Sequence, residues 1–144
     1  SKPQLPELAQ LRSEPQRRIA IMVPLWQESQ VVRAMVETNL SQIEYRDYAF
    51  FLGVYPNDAA TVSVARSLER EHGNVHVVVC SRPGPTSKAD CLNHIYRYLR
   101  RQEFREESPY ELVMLHDAED VLHPVSLALV NWYSAAYGMV QVPV

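Results

Sequence analysis

The sequence predicts an α/β fold built on a mostly parallel central sheet with helices on both faces. Three observations point there. Short apolar runs recur along the chain, amphipathic stretches of helical period separate them, and polar residues of unusual chemistry collect just after the runs. With 144 residues and 47% hydrophobic composition, the chain is long enough and apolar enough to bury one real core.

The elements follow in order. Residues 1–16 are polar and interrupted by Pro3, Pro6 and Pro15, with a weak Leu5, Leu8, Leu11 period that allows a helical turn or two; they read as a linker. The apolar run 19–23, stopped by Pro24, suits a buried first strand. Ser29 is placed to cap a helix whose Val32, Met35, Val36, Leu40 and Ile43 keep helical spacing, and 48–55 returns to aromatic and β-branched residues. Asn57 or Asp58 caps a second helix with Val62, Ala65 and Leu68 inward, which Gly73 ends, and 75–80 makes a third strand. After Pro83-Gly84-Pro85, a third helix over 87–101 carries Ala89, Leu92, Ile95, Tyr96 and Leu99 on one face. The run of alternating charge from Arg97 to Glu107 reads as its solvated end. A fourth strand at 111–116, a helix after Pro124 and a fifth strand at 139–142 complete the pattern.

Several classes of function are excluded or disfavoured. A net charge of -3 provides no basic field for nucleic acid. Cys80 and Cys91 neither form a disulfide framework nor sit in a CxxC pair, which favours a reducing compartment. No apolar run reaches the roughly 20 residues of a membrane span, and residues 1–15 do not read as a signal peptide. GxGxxG, the P-loop pattern and a serine nucleophile elbow are all missing.

In a parallel sheet, ligands gather at the carboxyl ends of the strands, and Glu28, Asp58, Lys88 and the acidic cluster at Asp117 all fall there. Asp117, Glu119 and Asp120 follow the fourth strand directly, so a rigid element crowds carboxylates into one volume. A hard divalent cation, Mg²⁺ or Mn²⁺, relieves that repulsion and leaves positions for phosphate oxygens. A solvated acidic turn is the plainer alternative. Lys88 opens the third helix, where its ammonium and the unpaired helix amides can face one anion; Arg82 is a weaker second candidate. Asp58 and Glu28 are each explained as well by capping or packing as by ligand contact. His116 and His123 flank the acidic cluster and raise a rival metallohydrolase chemistry with zinc or iron, but His116 lies within the strand's alternation and reads as a hydrogen-bonded core residue.

The order of these motifs resembles the family 2 glycosyltransferases of the GT-A fold, in particular the membrane-bound, cellulose-synthase-like branch. Ile19 to Glu28 is similar to the family's first strand and Pro-x-x-Asn-Glu motif, with Gln27 in place of Asn. Asp58, in Gly53-Val54-Tyr55-Pro56-Asn57-Asp58, stands where an acidic residue recognises uracil, although the usual Asp-Asp-Gly is missing. Lys88-Ala89-Asp90-Cys91-Leu92-Asn93 resembles the Lys-x-x-x-Leu-Asn helix start that approaches the donor diphosphate, and Asp117-Ala118-Glu119 takes the place of the Asp-x-Asp metal motif, with Asp120 a possible substitute ligand.

The resemblance implies a GT-A fold truncated at its C-terminus, residues 17–144 forming its nucleotide-sugar-binding part. It also implies a UDP-sugar donor, an Mg²⁺ or Mn²⁺ cofactor, a polysaccharide or lipid-linked acceptor, and a place on the cytoplasmic face of a bacterial inner membrane, reached through segments outside this chain. Glu28, Asp58, Lys88 and Asp117 are then the donor-binding residues and Asp117, Glu119 and Asp120 the metal ligands. The catalytic Asp and the Gln-x-x-Arg-Trp motif are expected beyond Val144, so turnover by these residues alone is not expected. The alternative is a non-catalytic module on the same fold that serves as a phage receptor or an outer-membrane assembly partner.

Overall fold

The computed structural model describes residues 5–138. Its elements are α1 (Leu8–Ser13), β1 (Ile19–Pro24), α2 (Val32–Gln42), β2 (Tyr48–Val54), α3 (Ala59–Glu71), β3 (Val75–Val79), α4 (Lys88–Glu106), β4 (Leu112–Leu115) and α5 (Ser126–Tyr137). The four strands form one parallel sheet in the order β3-β2-β1-β4. The fifth strand expected at 139–142 lies outside the described residues.

The apolar runs are strands, the central β1 and β2 buried on both faces and the outer β3 and β4 buried in part. In β1, Ile19, Ile21 and Val23 point into a core shared with Val32, Met35 and Val36 of α2, Ala65 and Leu68 of α3, and Leu127 of α5. Ala20 and Met22 point the other way, onto Cys91, Ile95 and Leu99 of α4. Phe50 and Phe51 divide β2 between the same two layers. Gly53 of β2 lets α4 come this close: a Cβ there would lie 2.6 Å from Ile95 Cδ1 and 2.8 Å from Cys91 Sγ.

Four local readings shift. Ser29 does not cap α2: Ser29 and Gln30 lie in a turn, Val31 is the N-cap without a side-chain bond, and the Glu28 carbonyl accepts both Val31 N–H and Val32 N–H. α3 stops at Glu71 with His72 at its C-cap, before Gly73. α4 runs on to Glu106, because Gln102 and Glu106 continue the inner face: Gln102 is buried and donates to Glu106, which also binds Arg18 at 2.7 Å. The segment read as a linker carries α1, whose Leu11 is buried against the α5 side of the core. The chain beyond α1 is fastened by Asn131 of α5, which accepts the Arg17 N–H at 3.1 Å and donates to the Pro15 carbonyl at 3.1 Å.

All four strands end at one edge of the sheet. From β1 the chain moves outward to β2 and β3, then crosses back to place β4 on the far side of β1. That reversal opens a crevice at the exits of β1 and β4, the usual ligand position in such sheets.

Candidate donor site at the strand exits

A cavity of about 320 Å³ occupies this crevice. The loop after β1 lines it with Leu25, Trp26 and Glu28, and the exit of β2 with Tyr55. Pro85, Thr86, Lys88 and Cys91 come from the approach to α4 and its first turn, and Asp117, Ala118 and Glu119 from the exit of β4. A larger concavity of about 690 Å³ lies at the opposite end of the strands, around Arg101, Phe104 and Pro109, and includes none of the candidate site residues.

Lys88 is the first residue of α4, set there by Ser87, whose hydroxyl accepts the Asp90 N–H at 3.1 Å. The Lys88 ammonium donates to Asp117 Oδ1 at 2.9 Å. The Lys88 hydrogen bond lowers the Asp117 pKa from its ordinary carboxylate value. Glu28 and Glu119 line the same space. Arg82 is turned aside, ion-paired with Asp90 at 3.0 Å.

Asp58 sits apart from these four. It is buried, caps α3 by accepting Thr61 N–H, and accepts the Gln27 N–H at 2.6 Å. The second bond stabilises Gln27 in the left-handed region, at φ 53°, and so sets the turn that presents Trp26 and Glu28.

The acidic cluster divides as well. Asp120 lies outside the cavity lining; its Oδ2 faces the Asp117 N–H at 3.4 Å, and its carbonyl accepts from His116 Nε2 at 2.6 Å and Asn39 Nδ2 at 3.0 Å. Since a carbonyl only accepts, His116 carries its proton on Nε2 and serves as a buried loop anchor. His123 Nδ1 accepts the Val125 N–H at 3.2 Å. Among the described residues no three carboxylate, imidazole or thiol groups converge on one point. Asp117 and Glu119 nevertheless fit Mg²⁺ or Mn²⁺, since both offer hard oxygen donors to one cavity and such ions commonly take one or two carboxylates and complete their shell with phosphate and water.

Asn39 was not among the candidates, yet it organises the acidic loop. It is fully buried in α2, donates to the Met35 and Asp120 carbonyls, and accepts the Leu122 N–H at 2.7 Å. Gln42 adds a bond to the Leu122 carbonyl at 3.0 Å. The available signal was a polar residue in the buried phase of an amphipathic helix, four positions after Met35. Cys80 and Cys91 are buried free thiols with sulfurs 3.7 Å apart.

Comparison with known proteins agrees with this architecture. Bacteriophage adsorption protein B of Escherichia coli K12 is 40% identical over 129 residues, which cover 90% of this chain, and bacteriophage N4 adsorption protein B of Escherichia coli O157:H7 matches to the same extent. The match takes in 17% of the length of these curated relatives. A mannosyltransferase from Pyrobaculum calidifontis, in complex with GDP-Man and Mn²⁺, superposes with a TM-score of 0.63 over 88% of this chain and 37% of its own, at 17% identity, and shares the expected GT-A fold. Residues 15–144 match the model of the family described as glycosyltransferase like family 2, and the chain belongs to that family.

Proposed function

We propose that residues 17–144 bind the nucleotide-sugar donor, a UDP-sugar, of an inverting glycosyltransferase that makes or extends a bacterial surface polysaccharide or exopolysaccharide. The observation that carries this reading is the meeting of Lys88 and Asp117 in one cavity with Glu28 and Glu119. A single cation beside three carboxylates is short of positive charge, and a divalent ion with a diphosphate satisfies both kinds of group. Asp117 and Glu119 would hold Mg²⁺ or Mn²⁺, which when bound neutralises charge on the departing diphosphate. Lys88 contributes its ammonium to the phosphate oxygens, and Trp26 and Tyr55 form the apolar wall for the nucleoside. Asp58 supports that wall through Gln27.

The general base that activates a polysaccharide or lipid-linked acceptor is assigned to segments outside these residues, as are the links to the inner membrane; transfer of a hexosyl or an N-acetylhexosaminyl unit fits equally. Among the described residues no helix is long and apolar enough to cross a membrane. The names of the adsorption-protein relatives favour a second reading, a scaffold for phage adsorption or assembly.

Calorimetry of the full chain with UDP and GDP, with and without Mn²⁺, separates the two. Mn²⁺-dependent binding with UDP preferred supports the donor site. Absence of binding by a folded preparation overturns it and leaves the scaffold.

A further inference from the structure

The turn between β2 and α3 grips the loops on both sides of it. Asp58 holds Gln27 of the β1–α2 loop, and its neighbour Asn57 holds Gly84 of the β3–α4 loop. Asn57 Nδ2 donates to the Gly84 carbonyl at 2.9 Å, and Asn57 Oδ1 accepts the Gly84 N–H at 2.8 Å. One side-chain amide thus pairs with both polar groups of a single residue, as a strand neighbour would. Capping does not explain the arrangement, because Asp58 already caps α3.

Gly84 permits the approach that follows. A Cβ there would lie 2.6 Å from Tyr55 Cγ and 3.0 Å from Trp26 Cε3. Those two rings meet edge to face at 5.6 Å, and the Tyr55 hydroxyl shares a 2.7 Å hydrogen bond with Thr86 Oγ1. The segment from Gly84 to Thr86 is therefore laid flat on the aromatic pair, with Pro85 and Thr86 facing the cavity three and two residues before Lys88.

We propose that Asn57 is a positioning residue: by docking Gly84 onto Tyr55 and Trp26 it sets the width of the cavity and the approach of Lys88 to its ligand, an inference that rests on the donor-site reading. Asn57 is itself exposed, so its two bonds organise the wall while burying little. Fixing a wall before the ligand arrives removes an ordering cost from binding.

The test uses the full chain with UDP and Mn²⁺ in calorimetry, together with amide hydrogen exchange. Asn57→Ala is expected to raise the nucleotide Kd about tenfold, the equivalent of one or two hydrogen bonds lost. It should also speed exchange at the Gly84 amide while leaving the urea midpoint nearly unchanged. Asn57→Asp keeps the acceptor for Gly84 N–H and should fall between the two. Gly84→Ala, which lifts the segment from the other side, should weaken nucleotide binding to a similar extent, with an added loss of stability from the methyl pressed against Tyr55. Unchanged affinity in Asn57→Ala, or a loss that merely tracks global unfolding, overturns the inference while the donor site stands. Failure of the wild-type chain to bind any nucleoside diphosphate removes both.

Discussion

Lys88 and Asp117 stand 29 residues apart in sequence and 2.9 Å apart in space, joining the first residue of α4 to the exit of β4 across the cavity. Both side chains are 59% exposed, and an ion pair so placed adds little to stability because water screens it and ordering two side chains offsets the attraction. Its importance lies in pre-placing a cation and an anion at one point. Lys88→Gln should weaken UDP binding about tenfold, as expected for one lost charge-assisted contact to phosphate. Asp117→Asn should remove the Mn²⁺ dependence. Neither should move the urea midpoint appreciably, and calorimetry with parallel denaturation checks both halves.

Asn39 predicts the opposite balance. It is fully buried and serves three backbone groups, two of them on the acidic loop. Asn39→Ala leaves the Leu122 N–H without its partner, so stability should fall by roughly 2 kcal/mol, the scale of a buried group left unsatisfied. Mn²⁺-dependent nucleotide binding should weaken as well, because the loop from Asp117 to Leu122 loses its anchor. Urea unfolding and Mn²⁺ titration measure the two effects.

Gly53 tests the spacing between sheet and helix. Gly53→Ala forces a methyl against Ile95 and Cys91, and overpacking of this kind costs about 1–3 kcal/mol. Cys91 lies one turn beyond Lys88, so the displaced helix should also weaken UDP binding. A chain that accepts the methyl with no change in urea stability would refute the close approach.

His76 supplies a pH signature. Its ring stacks on Phe51 at 4.9 Å, and burial pushes its pKa below the ordinary imidazole value, against the pull of Glu106 and Glu69. Above about pH 6.5, the ordinary value, both folded and unfolded chains hold it neutral and its packing contributes fully. Below that pH the unfolded chain takes up a proton that the folded chain resists, so stability falls as pH drops through the lower folded value. His76→Phe keeps an aromatic ring and should flatten this part of the stability profile, read from urea midpoints between pH 7 and pH 5.

Much of this was legible in the amino-acid order. Buried parallel strands need apolar residues on both faces, so the runs at Ile19, Val75 and Leu112 announced themselves, and the residues just past them were marked as the ligand edge. The family resemblance, carried by Lys88 and Asp117 in their motifs, pointed to the same edge. Local cues were weaker where a backbone turn could do the work of a side chain: the Glu28 carbonyl starts α2 in place of Ser29, and α4 outlasts its charged face because buried Gln102 binds Glu106, which in turn finds Arg18.

The sequence by itself determined which faces are apolar, hence the alternation of strands and helices and the edge where chemistry gathers. Tertiary structure alone decided what each polar side chain does there. Asp58 and Asn57 are adjacent in the chain, yet one grips Gln27 and the other Gly84; Asp120 follows Glu119 directly, yet lies outside the cavity that Glu119 lines. The physical reason is that hydrophobic burial depends on periodicity, which a sequence displays, whereas a hydrogen bond depends on partners that folding brings from tens of residues away.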